Sequence, residues 1–144
     1  MGIPLYGQNK DGNALGNATG EVKRISSNLS LTANDSGGTY IMDAALTVDL
    51  PAPKAGLEFT FICGTTASTD MIIEATSDGA AGSDIGYVVG DVGGTAYSAG
   101  PKDIFTFGAS SNNHTIGDKL HLICDGTYWY GTVLAKVASS FTLD

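Results

Sequence analysis

The chain has 144 residues, of which 42% are apolar and only 15% charged, and its 7 basic against 15 acidic residues leave a net charge of −8. This length fits one domain with room for tails. The acidic balance argues against nucleic acid or an anionic membrane as partner, since both need clustered Lys or Arg. No run approaches the roughly 20 apolar residues that span a bilayer. The start, "MGIPLYGQNKDG", has no basic stretch followed by an apolar one, and Tyr6 spoils a myristoylation reading of Met1-Gly2, so synthesis in the cytoplasm is expected.

Residues 1–27 differ from the rest. They are rich in Gly and Asn, lack periodicity, and carry Lys10, Lys23 and Arg24 against Asp11 and Glu21. The remaining 117 residues hold nearly all of the acids. This segment reads either as a loosely attached terminus or as an extended arm that orders on a partner.

From residue 28 the chain breaks into short β-prone runs separated by turn residues. In order these are "NLSLT", "TYIMD", "LTVDL", "LEFTFIC", "MIIEAT", "IGYVV", "IFTF", "LHLIC" and "YWYGTVLAKV". Gly, Asp, Asn and Pro clusters punctuate them, among them the turn formers Asp35, Asp118 and Asp125. "GDVGGTAYSAGPK" reads as a long Gly-rich loop. The best helical candidate, "LAKVASSF" (134–141), is eight residues with a Ser pair inside, too short to count. The expectation is an all-β fold: an antiparallel β-sandwich or rolled β-barrel of eight to nine short strands over residues 28–136, with a C-terminal tail at 137–144.

Alternation assigns faces. Leu57, Phe59, Phe61 and Cys63 share one face of their run, and Leu120, Leu122 and Cys124 share one face of theirs. Both cysteines therefore point inward, as buried free thiols or as a cross-strand disulfide. Neither lies in a CxxC pair, so no zinc site is expected. Asp125-Gly126 marks a hairpin turn. In the return strand Trp129, Gly131 and Val133 face the core, while Tyr128, Tyr130 and Thr132 face outward.

Chemistry needs converging groups, and none is visible. His114 falls in a loop and His121 on a polar strand face, with no nucleophile elbow, HExxH or Gly-rich phosphate loop around them. The acidic series Asp70, Asp78, Asp84 and Asp91 lacks EF-hand spacing and reads as solvated turn aspartates. No enzyme activity, cofactor or metal is expected.

Three phrases carry a resemblance: "LSLTANDSGG" (29–38), "LTVDLPAPKAGLEFTF" (46–61) and "GDKLHLICDGTYWYGT" (117–132). Over residues 29–132 the chain resembles small structural β proteins of tailed bacteriophages, a group that includes capsid decoration (cement) proteins, head fibres and tail-fibre β domains. The chain lacks a repetitive shaft, which favours the decoration role. The resemblance implies a virion protein on the capsid surface, bound to the major capsid protein as a homotrimer, with no catalytic residues. On that reading the N-terminal arm meets the shell through Ile3, Leu5, Tyr6 and Leu15 as apolar anchors and Lys10, Lys23 and Arg24 toward acidic patches. The alternative is a receptor- or glycan-binding module in which Tyr87, Tyr97, Tyr128 and Tyr130 stack on sugars.

Overall fold

A computed structural model describes residues 21–66, 70–75, 84–108 and 114–144. Among them there is no α-helix, and only one short 3₁₀ turn, Ala33–Asp35. Two mixed sheets face each other without closing into a barrel. The architecture is therefore a β-sandwich.

The first six strands are β1 (Val22–Ile25), β2 (Leu29–Ser30), β3 (Thr39–Met42), β4 (Leu46–Asp49), β5 (Glu58–Cys63) and β6 (Met71–Glu74). They alternate between the sheets. Odd strands stack in parallel as β1-β3-β5 in one sheet, and even strands as β2-β4-β6 in the other. This half is a coil. Each turn lies in register on the one before, as in Val22–Thr39–Thr60 and Leu29–Val48–Ile73. A parallel pair needs a crossover of a dozen or more residues, and here the strand laid in the opposite sheet lies within that crossover.

The second half has β7 (Gly86–Val92), β8 (Thr95–Lys102), β9 (Ile104–Phe107), β10 (Lys119–Cys124), β11 (Trp129–Ala135) and β12 (Phe141–Leu143). Two tight hairpins, β7-β8 and β10-β11, are antiparallel. The full orders are β1-β3-β5-β10-β11-β7-β8 and β12-β9-β6-β4-β2.

Inward-facing residues fuse into one core. Phe59, Phe61, Phe105, Phe107, Leu120, Leu122, Trp129 and Val133 are fully enclosed. Aromatic pairs pack within each layer, Phe59 with Trp129 at 5.9 Å, Tyr40 with Phe61 at 5.8 Å and Phe107 with Phe141 at 5.0 Å between ring centroids, and Tyr97 with Phe141 at 5.5 Å joins one layer to the other. The inward set Trp129, Gly131 and Val133 is as the alternation required.

Five expectations need correction. The sheets are mixed rather than antiparallel, with five parallel pairings. Alternation reports which face a residue occupies and is silent on the direction of the neighbouring strand. Twelve strands form among the described residues, more than eight or nine. The Gly-rich stretch after residue 89 is a hairpin: Gly93 and Gly94 (φ 66° and 80°) make its two-residue turn, and at Gly90 a Cβ would run into the Val133 carbonyl. The segment 137–144 is no tail, because Phe141 and Leu143 are buried and β12 pairs with β9. Likewise residues 22–25, assigned to the arm, form the edge strand of the larger sheet.

Both cysteines are buried and free. They lie at opposite ends of the β5-β10 pair: the Cys63 N–H donates to the Asp118 carbonyl and the Cys124 N–H to that of Leu57. Six residues of strand put them about 20 Å apart, far beyond the roughly 7 Å limit between Cα atoms of a disulfide. Burial pushes both thiols up, and the Asp118 carboxylate adds to this at Cys63.

Candidate interaction surface

The turn after β10 organises the outer face of the seven-stranded sheet. Asp125 Oδ1 accepts the N–H groups of Thr127 and Tyr128, each at 2.8 Å, and Oδ2 accepts the Tyr130 hydroxyl at 3.1 Å. The backbone donors of Tyr128 and Thr127 hold this carboxyl below its usual range. Desolvation by its neighbours and the bond to Asp125 raise the Tyr130 phenol. One side chain thus shapes the turn and anchors the outward-facing Tyr130.

Sheet register then assembles the rest. Outward positions line up in rows across the strands. One row runs Glu58–Ile123–Tyr130–Tyr87, the next Val22–Thr39–Thr60–His121–Thr132–Val89, and the third Arg24–Ile41–Ile62–Lys119–Leu134–Asp91. Val89 is 58% exposed, Leu134 53%, Ile123 45% and Tyr130 44%, so several large apolar side chains meet solvent on this face, interspersed with Thr132, His121, Lys119 and Asp91. Tyr87 stacks on Tyr130 (5.9 Å, 14° between planes), and Tyr128 stands edge-on to Tyr87 at 5.5 Å. Because Tyr87 and Tyr130 turn a face toward each other, that face is closed to a ligand. Arg24 pairs with Asp43 at 2.8 Å on this side, and His121 Nε2 lies 3.4 Å from the Glu58 carboxylate.

The sequence-derived contact residues divide. Lys23 and Arg24 lie on β1, where Lys23 approaches Glu21 at 3.8 Å and Arg24 is on the outer face with both Asp43 oxygens in reach. Ile3, Leu5, Tyr6, Lys10 and Leu15 lie outside the described residues. Of the four tyrosines offered as sugar contacts, three come together. Tyr97 does not: it is half-buried on the inner side of β8, its hydroxyl accepts the Leu143 N–H at 2.9 Å, and its ring meets Phe141 at 5.5 Å.

Sequence reasoning missed Val89, Ile123 and Leu134. The signal was present, since "YVV", "LHLIC" and "WYGTVLA" are apolar in both phases of the alternation. A strand with one wet face should instead be polar in one phase.

Groups with chemical potential are engaged elsewhere. His114 is fully buried. Asp118, also buried, accepts the backbone N–H groups of Thr115 at 2.8 Å and Lys136 at 3.0 Å, pinning the start of β10 to the end of β11. Asp91 accepts the Gly94 N–H at 2.8 Å. Among the described residues no three His, Cys, Asp or Glu side chains converge, and Asp78 lies outside that set. No helix among them is long and apolar enough to cross a membrane. The arrangement suits the binding of a broad partner surface. Comparison with protein-family models and with curated proteins finds no match for this chain.

Proposed function

We propose that the chain is a non-enzymatic structural protein that binds the outer surface of a tailed-phage capsid and stabilises it, as a decoration or cement protein. The observation that supports a binding role is the outer face of the seven-stranded sheet. Val89, Ile123, Tyr130 and Leu134 stay exposed together on a rigid surface while the opposite face is fully packed. Contiguous apolar patches rimmed by polar residues mark interaction sites on soluble proteins. Tyr and Arg, both on this face, are enriched where interfaces hold most of their energy. The bacteriophage assignment rests on the three phrases quoted from the sequence. On this reading the major capsid protein is the partner, the chain acts as a homotrimer, and it resides on the virion surface. Co-sedimentation of the full chain with undecorated capsids of the parent phage tests it. Saturable binding, weakened by Tyr130→Ala with Ile123→Ser, is expected; no binding at micromolar concentration overturns it.

A second reading, a receptor- or glycan-binding module, is favoured by the Tyr87–Tyr128–Tyr130 cluster. A glycan array separates the two. Selective glycan binding abolished by Tyr128→Ala supports the module, and a blank array with capsid binding supports decoration.

A further inference from the structure

The seven-stranded sheet ends in β8, and among the described residues no strand pairs with its outer edge. Of its eight residues, Thr95–Lys102, only the last is charged. Edge strands are normally guarded by charge, Pro, bulges or shortness. Here Pro101 and Lys102 guard one end and leave 95–99 bare. The two-residue turn at Gly93-Gly94 fixes the bonding pattern. Val92 and Thr95 flank it as a hydrogen-bonded pair, so Tyr97 and Ala99 also bond toward β7. The N–H and C=O groups of Ala96 and Ser98 consequently point away from β7.

Beside this edge lies a cleft of about 340 Å³ between β8, β12 and the turn before β12, lined by Val92, Tyr97, Ala138, Ser139, Phe141 and Thr142. That is about twice the roughly 150 Å³ that holds a benzene ring. A bare edge with an apolar hollow on its inner side is the arrangement by which sheets accept an added strand. Backbone bonds hold the strand, and alternate side chains fill pockets.

We infer that this edge and cleft take an added strand from a second copy of the chain, the segment around Ile3-Pro4-Leu5 that precedes β1. Twenty residues precede Glu21, ample length to reach a neighbour. In a strand, alternate residues share both a face and a bonding direction. Laid parallel to β8 with Ile3 opposite Tyr97, Ile3 and Leu5 are directed into the cleft while their N–H and C=O groups bond to those of Ala96 and Ser98. Pro4, which has no N–H, then faces the new free edge, where proline is tolerated. β1 and β8 are opposite edges of one sheet. A segment leaving one copy at β1 and adding to β8 of the next makes a head-to-tail contact, which closes into a ring where the rotation permits. The inference concerns how copies meet each other and stands apart from capsid binding, which the co-sedimentation assay reads separately.

The test uses full-length protein without capsids. Sedimentation velocity at micromolar concentration is expected to show assemblies. Ser98→Pro and Ser98→Lys, both at an exposed edge position, should each weaken association at least tenfold while leaving the melting temperature and far-UV spectrum unchanged. Deleting residues 1–20 should do the same. Mixing Ile3→Cys protein with Ala138→Cys protein under mild oxidation should yield a disulfide-linked heterodimer, and Ile3→Cys with Lys54→Cys should not. A monomeric wild type overturns the inference, as do assemblies indifferent to both Ser98 variants. Assemblies lost in the Ser98 variants but intact without residues 1–20 overturn the choice of occupant. A 3-to-138 cross-link forming only within single doubly substituted chains overturns the exchange between copies.

Discussion

The two halves of the sandwich are built by different rules. Residues 22–74 coil, so each strand pairs with one a full turn away in sequence. Arg24 meets Asp43, Ser30 meets Asp49 and the Thr47 N–H meets the Asn28 side chain, each nineteen residues apart. Residues 86–143 instead contain two tight hairpins whose partners are close neighbours. The halves also dress the outer face differently. The coil contributes Val22, Ile41 and Ile62 interspersed with Thr39, Thr60 and the paired Arg24, while β7, β10 and β11 contribute the tyrosine cluster with Val89, Ile123 and Leu134. On the proposed reading the coil serves as scaffold and the hairpin half as the surface that meets a partner.

The largest expected effect comes from breaking the contact that joins the halves. Trp129 of the hairpin half packs fully buried on Phe59 of the coil. Trp129→Ala should cost about 3–5 kcal/mol, read as a lower urea midpoint with a single transition. Two separate transitions would mean that the halves fold independently.

Asp118 comes next, because it locks the hairpin half to itself through two backbone donors. Its loss strands the Thr115 and Lys136 N–H groups beside a buried site, so Asp118→Ala should cost about 2–3 kcal/mol in the same urea assay. A change within experimental error would show that water replaces the carboxylate. In the coil, Arg24→Ala removes an exposed pair and should cost no more than about 1 kcal/mol. A larger loss would make the stacked ion pair a structural requirement of the first turn.

The smallest effect concerns Asp125. Its native carboxyl titrates below the ordinary value of about 3.9. The hairpin stabilisation it supplies is therefore complete above that value and declines as the pH falls through the native pKa. Carbon-detected NMR titration should show an Asp125 midpoint below the ordinary aspartate value, and in Asp125→Asn the acid-side decline in stability should shrink. A midpoint at the ordinary value would remove the hairpin's acid sensitivity.

What the sequence revealed follows the same division. The Asp125-Gly126 turn, the inward Trp129 and the outward Tyr128 and Tyr130 were readable because a hairpin writes its partner next to itself. The coil pairings were not, since nothing local in "TYIM" names Val22–Ile25 or Glu58–Cys63 as its neighbours. β12 was hidden by length: three residues, Phe141–Leu143, are too few to show alternation. β8 was hidden by composition, as Gly and Ala dominate a strand whose place is set by its hairpin with β7. Of the surface, the tyrosines were visible as aromatics in an outward phase. The spread of apolar side chains over this face needed the register that lays Val89, Tyr130 and Ile123 across neighbouring strands.

The central claim is that the outer face of the seven-stranded sheet is the surface that meets a partner shell. Electron cryomicroscopy of the parent particle carrying this protein tests it most directly. The account predicts density in which Tyr87, Val89, Ile123, Tyr130 and Leu134 lie against the capsid and are shielded from solvent. A bound protein with that face turned to solvent, or a particle on which the chain has no fixed position, would contradict it.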